Sequence, residues 1–353
     1  MKIIIIGGGI TGLYIGYMLN KYNIDFDIYE RSPMIGGKLV NKKIFDKKVE
    51  YQIYHHHTHM LNLLIELNID YKIVNKVNDI KFDTKLFEKI KQIFSKNPVK
   101  NISVDTFIKK YLSETEYNLF ISYISDLKLD QMEISDYIKY NHDNILLINR
   151  SKETILINND IIDKLSVNIR NNIYISYNVQ QIAYMPITNN YILTVNDKFI
   201  NADKIILTSN MGIHLIIPPI IQKQFSKIES FNYLKIYYIS SDKKISTLDY
   251  ITKDQDILYE SIIKNKESTI NILNAYLNNK HKISKYTYQN WKNAYHINKY
   301  TIETNFYNKY NMILAIHPYS NSLEGSCICA KDTFDIIQNE IYSKRSEYLY
   351  KIR

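Results

Sequence analysis

Nine glycines occur in the 353 residues, and seven of them (Gly7, Gly8, Gly9, Gly12, Gly16, Gly36 and Gly37) lie within the first 37. Such clustering marks a place where something must come very close to the backbone. Gly7-x-Gly9-x-x-Gly12 follows four isoleucines, Ile3 to Ile6, and Glu30 stands 23 residues after Gly7. In this pattern Gly7 permits a tight turn and Gly9 removes the side chain that would keep a diphosphate off the backbone. Gly12 lets a helix lie close to a strand. The N-terminus of that helix offers unpaired N–H groups and partial positive charge that favour phosphates. A carboxylate at Glu30 is placed to accept hydrogen bonds from the ribose hydroxyls of an adenosine. The chemistry expected is the binding of a dinucleotide.

These residues need a strand, a helix and a second strand to hold them. Residues 3–6 form an apolar, β-branched run that predicts a strand buried on both faces. Residues 13–22 keep helical spacing through Leu13, Tyr14, Tyr17, Met18 and Leu19, and residues 24–29 alternate toward Glu30 as a second strand. The predicted unit is therefore β-α-β with the glycines at its first turn.

The next stretch, ERSPMIGGK, places Gly36 and Gly37 soon after Glu30, between Arg31 and Lys38. With it the chain resembles the FAD-binding flavoprotein amine oxidase superfamily, which includes monoamine and polyamine oxidases, protoporphyrinogen oxidase and phytoene desaturases. That group pairs a glycine-rich turn and an acid with a Gly-Gly followed by Arg, here Lys38, which lacks the guanidinium fork. The resemblance implies FAD as cofactor, held by Gly7, Gly9, Ile10, Thr11, Gly12, Glu30, Arg31, Gly36, Gly37 and Lys38. It continues at Val179, expected near the adenine, and at Ala202-Asp203-Lys204-Ile205-Ile206-Leu207-Thr208, where Thr208 joins the cofactor set. It ends at Leu323, Glu324 and Gly325, which open a last helix facing the flavin, with His317 in the position of an acidic ribityl ligand. Stretches 3–38, 200–219 and 312–337 carry it most clearly. Departures fall at Gln52 and Ile53, where a glycine turn is expected, at Ile316-His317 in place of a Gly-acid pair, and at Ser322 in place of an aromatic wall.

Residues 231–239, FNYLKIYYI, predict a strand in which Lys235 falls where several amine oxidases keep a lysine that holds water against flavin N5. By the same resemblance Trp291 and Tyr295 are candidate substrate contacts. The run His55, His56, His57, His59 invites a metal reading, but no matching Cys/His cluster occurs elsewhere, so no metal is expected. Cys327 and Cys329, the only cysteines, form neither a redox pair nor a disulfide framework and fit a reducing compartment. The net charge of +9 is dispersed, without a long basic run, which speaks against nucleic acid. No apolar stretch of membrane-spanning length occurs. A cytoplasmic protein acting on a small-molecule substrate is expected.

Residues 80–150 predict helices, notably over LFEKIKQIF and DTFIKKYL, and residues 173–207 predict short strands separated by Asn-rich turns. The expected fold is α/β: a Rossmann-like FAD/NAD(P)-binding domain with an interleaved α+β substrate domain. The expected division is residues 1–75, 155–225 and 305–353 for the FAD domain and 76–154 and 226–304 for the substrate domain, the latter piece with antiparallel strands plus a helix. The expected function is an FAD-dependent oxidoreductase, amine oxidase-like, passing a hydride to flavin N5 with O2 as acceptor. Two alternatives stand beside it. One is a flavoenzyme like UDP-galactopyranose mutase, which would need arginines for a diphosphate where this chain has five in all. The other is a flavoprotein-like scaffold without catalysis.

Overall fold

A computed structural model describes residues 1–39, 44–45, 50–75, 84–99, 101–123, 133–138, 153–158, 160–208, 213–225, 228–239, 245–252, 285–298, 310–315 and 323–351. The all-isoleucine strand β1 (Ile3–Ile6) is buried along its whole length. It leads through the glycines into α1 (Ile10–Lys21) and returns as β2 (Phe26–Glu30). Then follow β3 (Tyr51–Ile53), α2 (Thr58–Glu66) and β4 (Lys72–Asn75). A helical block comes next: α3 (Thr84–Lys96), α4 (Val104–Tyr111), α5 (Glu114–Tyr123) and the short turn α6 (Ile134–Asp136). The chain returns with β5 (Glu153–Ile157), α7 (Asp160–Ser166), a 3-10 turn at Val167–Asn172, and β6 (Ile173–Ile175). Strands β7 (Val179–Met185), β8 (Asn190–Val195), β9 (Lys198–Ala202), β10 (Lys204–Leu207) and β11 (His214–Ile216) precede α8 (Pro219–Phe225). Three longer strands, β12 (Ile228–Ile239), β13 (Ile245–Thr252) and β14 (Lys285–Asn298), precede β15 (Met312–Leu314) and the terminal helix α9 (Leu323–Lys351).

The five-stranded sheet that positions the site has the order β15-β10-β1-β2-β6, with β1 in the middle. All four of its pairings are parallel, so every strand points its carboxyl end to the same edge. Both faces are covered, as parallel sheets require. Ile3 and Ile5 pack into a core built with α1, α2, α7 and α9, while Ile4 and Ile6 pack against β7, β8 and β10. The remaining sheets are β11-β7-β8-β9, β13-β12-β14 and β3-β5-β4.

Strand β2 departs from the alternating reading of residues 24–29, because all five of its residues are buried. Ile24 still serves the end of α1, its N–H donating to the Leu19 carbonyl at 3.0 Å after Asn23 turns through φ +54. Asp27, which suggested a solvent face, is buried and ion-paired with Lys2 at 2.9 Å. Polar residues can sit in a doubly covered strand when their charge is matched.

The stripes read as helices at LFEKIKQIF and DTFIKKYL are α3 and α4. They bury Phe87, Ile90, Phe107 and Ile108 in a core of their own with Phe120 and Tyr137. Ser103 caps α4, its Oγ accepting the Thr106 N–H at 3.2 Å. Helix α9 is fixed to the sheet by Lys204, 1% exposed on β10, whose Nζ lies 2.6 Å from Glu340 Oε2. No helix among the described residues is long and apolar enough to cross a membrane.

Candidate functional site

The carboxyl edge of the parallel sheet gathers the glycines. Gly7 leaves β1 at φ +112, a conformation that L side chains rarely adopt, and its N–H donates to the Tyr29 carbonyl at 2.9 Å. A Cβ on Gly12 would lie 2.0 Å from the Gly7 carbonyl oxygen, so α1 can sit this close to the turn only because Gly12 has none. Gly36, at φ +111, donates its N–H to the Gly8 carbonyl at 2.8 Å, and Gly9 and Gly36 form a parallel bridge. The second glycine pair is thereby laid across the first. Gly37 presses so close that a Cβ there would be 3.2 Å from the Gly9 Cα.

Gly9 differs from all of these. A Cβ on it would meet only the Gly37 Cα, at 4.0 Å, and would otherwise enter open space. Protein packing therefore does not demand glycine at residue 9, whereas a group seated on the turn would. Gly9 is the N-cap of α1, gives it no side-chain cap, and the first turn, with Ile10 and Thr11, carries no acid. A helix start without an acid of its own, over an open cradle, suits a diphosphate.

Glu30 closes the same turn. Its Oε2 accepts the Gly8 N–H at 2.6 Å and its Oε1 accepts the Ser32 N–H at 2.7 Å. Each carboxylate oxygen has a further lone pair, so Glu30 can brace the turn and still accept from ribose hydroxyls. The Glu30 carbonyl accepts the Tyr177 N–H at 2.9 Å, which brings the chain to buried Val179 beside β2. Thr208, at the end of β10, donates its hydroxyl to the Ile6 carbonyl at 2.8 Å and lies 3.3 Å from that of Gly7. Lys38 is half-buried at the second glycine pair and Arg31 is exposed after β2.

A second group stands where α9 begins. Glu324 does not face open space: its Oε1 accepts the His59 N–H at 3.0 Å and its Oε2 accepts the Met60 N–H at 2.8 Å. It caps α2, whose N-cap His57 makes no side-chain cap of its own. Leu323 is half-buried and Gly325 buried behind it, and Cys327 Sγ lies 3.5 Å from Met60 Sδ. Burial raises the pKa of both thiols, that of Cys329 to about 12, so neither is a thiolate at neutral pH.

The loop between β3 and α2 packs its rings on one another. Tyr54 and His56 stack with centroids 5.7 Å apart, and His57 stands edge-on to His56 at 4.6 Å. Burial, then neighbouring His56, lowers the His57 pKa to about 4, and burial also lowers that of His56. His56 Nε2 is buried with no hydrogen-bond partner among the described residues. His55 instead turns out to Glu153, at 3.3 Å. No group of three or more His, Cys, Asp or Glu among the described residues is arranged to hold a metal ion.

Lys235 is half-buried on β12, opposite Asp249 on β13 and Gln289 on β14, with its Nζ 5.9 Å from the centre of the Tyr51 ring. Tyr237, two residues on and so on the same strand face, is fully buried in the core that holds Tyr51 and Ile53. Lys235 thus faces the main core rather than bulk water. Trp291 and Tyr295 pair with Tyr233 and Phe231 across a bulge in β14. His317, Ile316 and Ser322 lie outside the described residues. Sequence reasoning missed the capping role of Glu324, the Tyr51 ring beneath Lys235 and the unpaired His56. Of these only His56, in its histidine run, carried a signal.

Residues 5–66, from β1 to the end of α2, match the model of an NAD(P)-binding Rossmann-like domain. No curated protein matches the chain in sequence. Solved structures match over nearly its whole length. Cyclohexylamine oxidase from Brevibacterium oxydans IH-35A superposes with a TM-score of 0.74 at 13% identity, over 97% of this chain and 99% of its own. The chain has the amine oxidase fold. A putrescine oxidase solved with putrescine bound gives 0.70 at 10% identity over 96% and 99% of the two chains. A CLA-producing fatty acid isomerase from P. acnes gives 0.71 at 12% identity over 94% and 97%. Identities this low show the fold alone, and what it does here has to be argued from the residues.

Proposed function

We propose that the chain binds FAD along the carboxyl edge of the parallel sheet and oxidises a small-molecule substrate, an amine or a related compound, with O2 as acceptor. The observation that carries this reading is the contrast between Gly12, which packing requires, and Gly9, which only an occupant of the turn requires. The diphosphate would rest on the N–H groups at the start of α1 and against Gly36 and Gly37, Glu30 would take the ribose, and Val179 would border the adenine. The rest of the cofactor would run past Thr208 toward α9, where Leu323, Glu324 and Gly325 begin. FAD, once bound, supplies the hydride chemistry at N5. Lys235, its Nζ 5.9 Å from the Tyr51 ring centre, would supply positive charge to the flavin. Both cysteine thiols stay protonated, which supports a noncovalent cofactor.

In this reading the FAD domain is drawn from residues 1–75, 155–225 and 305–353, and the substrate domain from 76–154 and 226–304. The protein works in the cytoplasm without nucleic acid. A second reading, an isomerase using the same cofactor, has the support of a fatty acid isomerase among the proteins of this fold.

The test is the purified protein itself, grown with ample riboflavin. Flavin absorbance, and a thermal shift with FAD that exceeds the shift with NAD or NADP, are expected. At a hundredfold excess over Kd the shift corresponds to about 2.7 kcal/mol. No flavin absorbance and no shift with FAD would refute the reading. Consumption of O2 with an amine substrate separates oxidase from isomerase.

A further inference from the structure

We propose that His56 is a binding residue for the flavin end of the cofactor, its Nε2 making a hydrogen bond to the ring system rather than to the adenosine diphosphate. The assignment rests on the FAD reading above. It starts from an atom that the protein leaves unsatisfied. A buried polar nitrogen without a partner is rare, because folding exchanges its water for nothing. Here the ring is held on two sides, stacked on Tyr54 and met edge-on by His57, so it cannot swing out to find a partner without breaking both contacts. Burial keeps the imidazole uncharged at neutral pH, and a neutral ring nitrogen offers one directed bond, as donor or acceptor according to its tautomer.

The order of the sheet says which end of the cofactor lies there. In β15-β10-β1-β2-β6 the diphosphate turn is at β1, and the ribose acid Glu30 is on β2, to one side. An extended dinucleotide with its adenosine on the β2 side must carry its other half across β10 toward β15. Helix α9 opens after β15, and Glu324 in its first turn ties down the start of α2 through His59 and Met60. His56 stands two residues before α2, and the charge of Glu324 reaches its ring. The unpaired nitrogen therefore lies on the far side of β1 from Glu30. Its neighbour His55 has its own partner, Glu153, and is exposed.

The experiment measures Kd for FAD and for ADP on flavin-free protein by calorimetry, for the wild type, His56→Phe, His56→Gln and His55→Phe. Phenylalanine keeps the ring stack and removes the nitrogen, and glutamine restores a polar atom near the same place. His56→Phe is expected to weaken FAD about five- to tenfold, the size of one hydrogen bond, with ADP unchanged. His56→Gln should recover most of that loss, and His55→Phe should bind both ligands as the wild type does. Equal FAD affinity in His56→Phe and wild type overturns the assignment. So does a loss that is the same for ADP and FAD, since that would place the effect in the fold. A wild type that binds ADP no differently from FAD also overturns it, and one that binds neither overturns the cofactor reading as a whole.

Discussion

Replacing Gly9 and Gly12 separately by alanine divides the glycine motif into a part that serves the fold and a part that serves the ligand. At Gly12 the new Cβ would stand 2.0 Å from the Gly7 carbonyl oxygen, about 1 Å inside any real contact. The obstacle is backbone, so no rotamer relieves it and α1 must retreat. Gly16, one turn on, marks the same close approach: a Cβ there would be 2.8 Å from Ile28 and 2.9 Å from Phe26. Overpacking of this kind costs about 1–3 kcal/mol, and a backbone clash belongs at the upper end. At Gly9 the methyl would enter open space from an extended backbone, φ -75 and ψ 177, that alanine adopts freely. Losing glycine at an N-cap costs up to about 1 kcal/mol, and the reduced freedom of the unfolded chain returns about 0.4–1 kcal/mol. Gly9→Ala is therefore expected to melt within a few degrees of wild type. With FAD it should lose at least one charge-assisted hydrogen bond to the diphosphate, about 1.5–3 kcal/mol or about 10- to 150-fold in Kd. Thermal melts by circular dichroism without ligand, followed by FAD titration of each folded variant, separate the two effects. A Gly9→Ala protein that binds FAD as wild type does would show that no phosphate rests on this turn. A Gly12→Ala protein that melts as wild type does would refute the packing argument.

Three further outcomes follow from other parts of the molecule. Lys204→Met removes the buried cation from Glu340 and should cost about 3 kcal/mol in urea unfolding, while Lys204→Met with Glu340→Met should recover at least half, and a double variant no more stable than the single would count against a matched buried pair. The His57 pKa, about 4 in the fold against 6.5 unfolded, gives stability that is complete above pH 6.5 and lost as pH falls through 4. After a discount for its partly exposed ring this amounts to about 2 kcal/mol, and His57→Phe should flatten the stability profile over that window. Lys235→Met should slow reoxidation of photoreduced protein by oxygenated buffer about tenfold or more while leaving substrate affinity nearly unchanged, because positive charge matters where negative charge develops. Matching stopped-flow traces for variant and wild type would remove Lys235 from the mechanism.

The glycine turn was legible in the sequence because each of its requirements is local. A residue without Cβ, a fixed spacing and an acid after the second strand can be read without knowing what lies far away. The strands at residues 3–6, 173–207 and 231–239 were legible to the same degree, burial on both faces defeated the alternation test at Phe26–Glu30, and β3, β4 and β5 were not read. What could not be read are the contacts closed over long separations. Glu324 caps a helix 265 residues earlier in the chain. Lys204 reads as an anomaly in a buried strand until Glu340, 136 residues on, supplies its counter-charge. Glu30 was found for its position, yet its bonds to the Gly8 and Ser32 N–H groups depend on where two turns meet.

The departures from the family pattern are not scattered. By the resemblance, Gln52, Ile53, Ile316, His317 and Ser322 are all expected at the flavin end, and the glycines expected at the diphosphate are intact. The physical demands on the two halves explain the division. Phosphate is held by backbone N–H groups over a turn that admits no side chain, so the sequence there has few solutions. The ring end is held and activated by side chains, and many sets of side chains can line a cavity of the same shape. A scaffold can therefore keep its cofactor while changing its reaction. The fold already hosts an oxidase of cyclohexylamine and an isomerase of fatty acids, each superposing on this chain with a TM-score above 0.7. For this chain the reaction has to be sought among the residues that differ, at His56 and the ring cluster around it and at Lys235 above Tyr51, and not in the glycine turn that it shares.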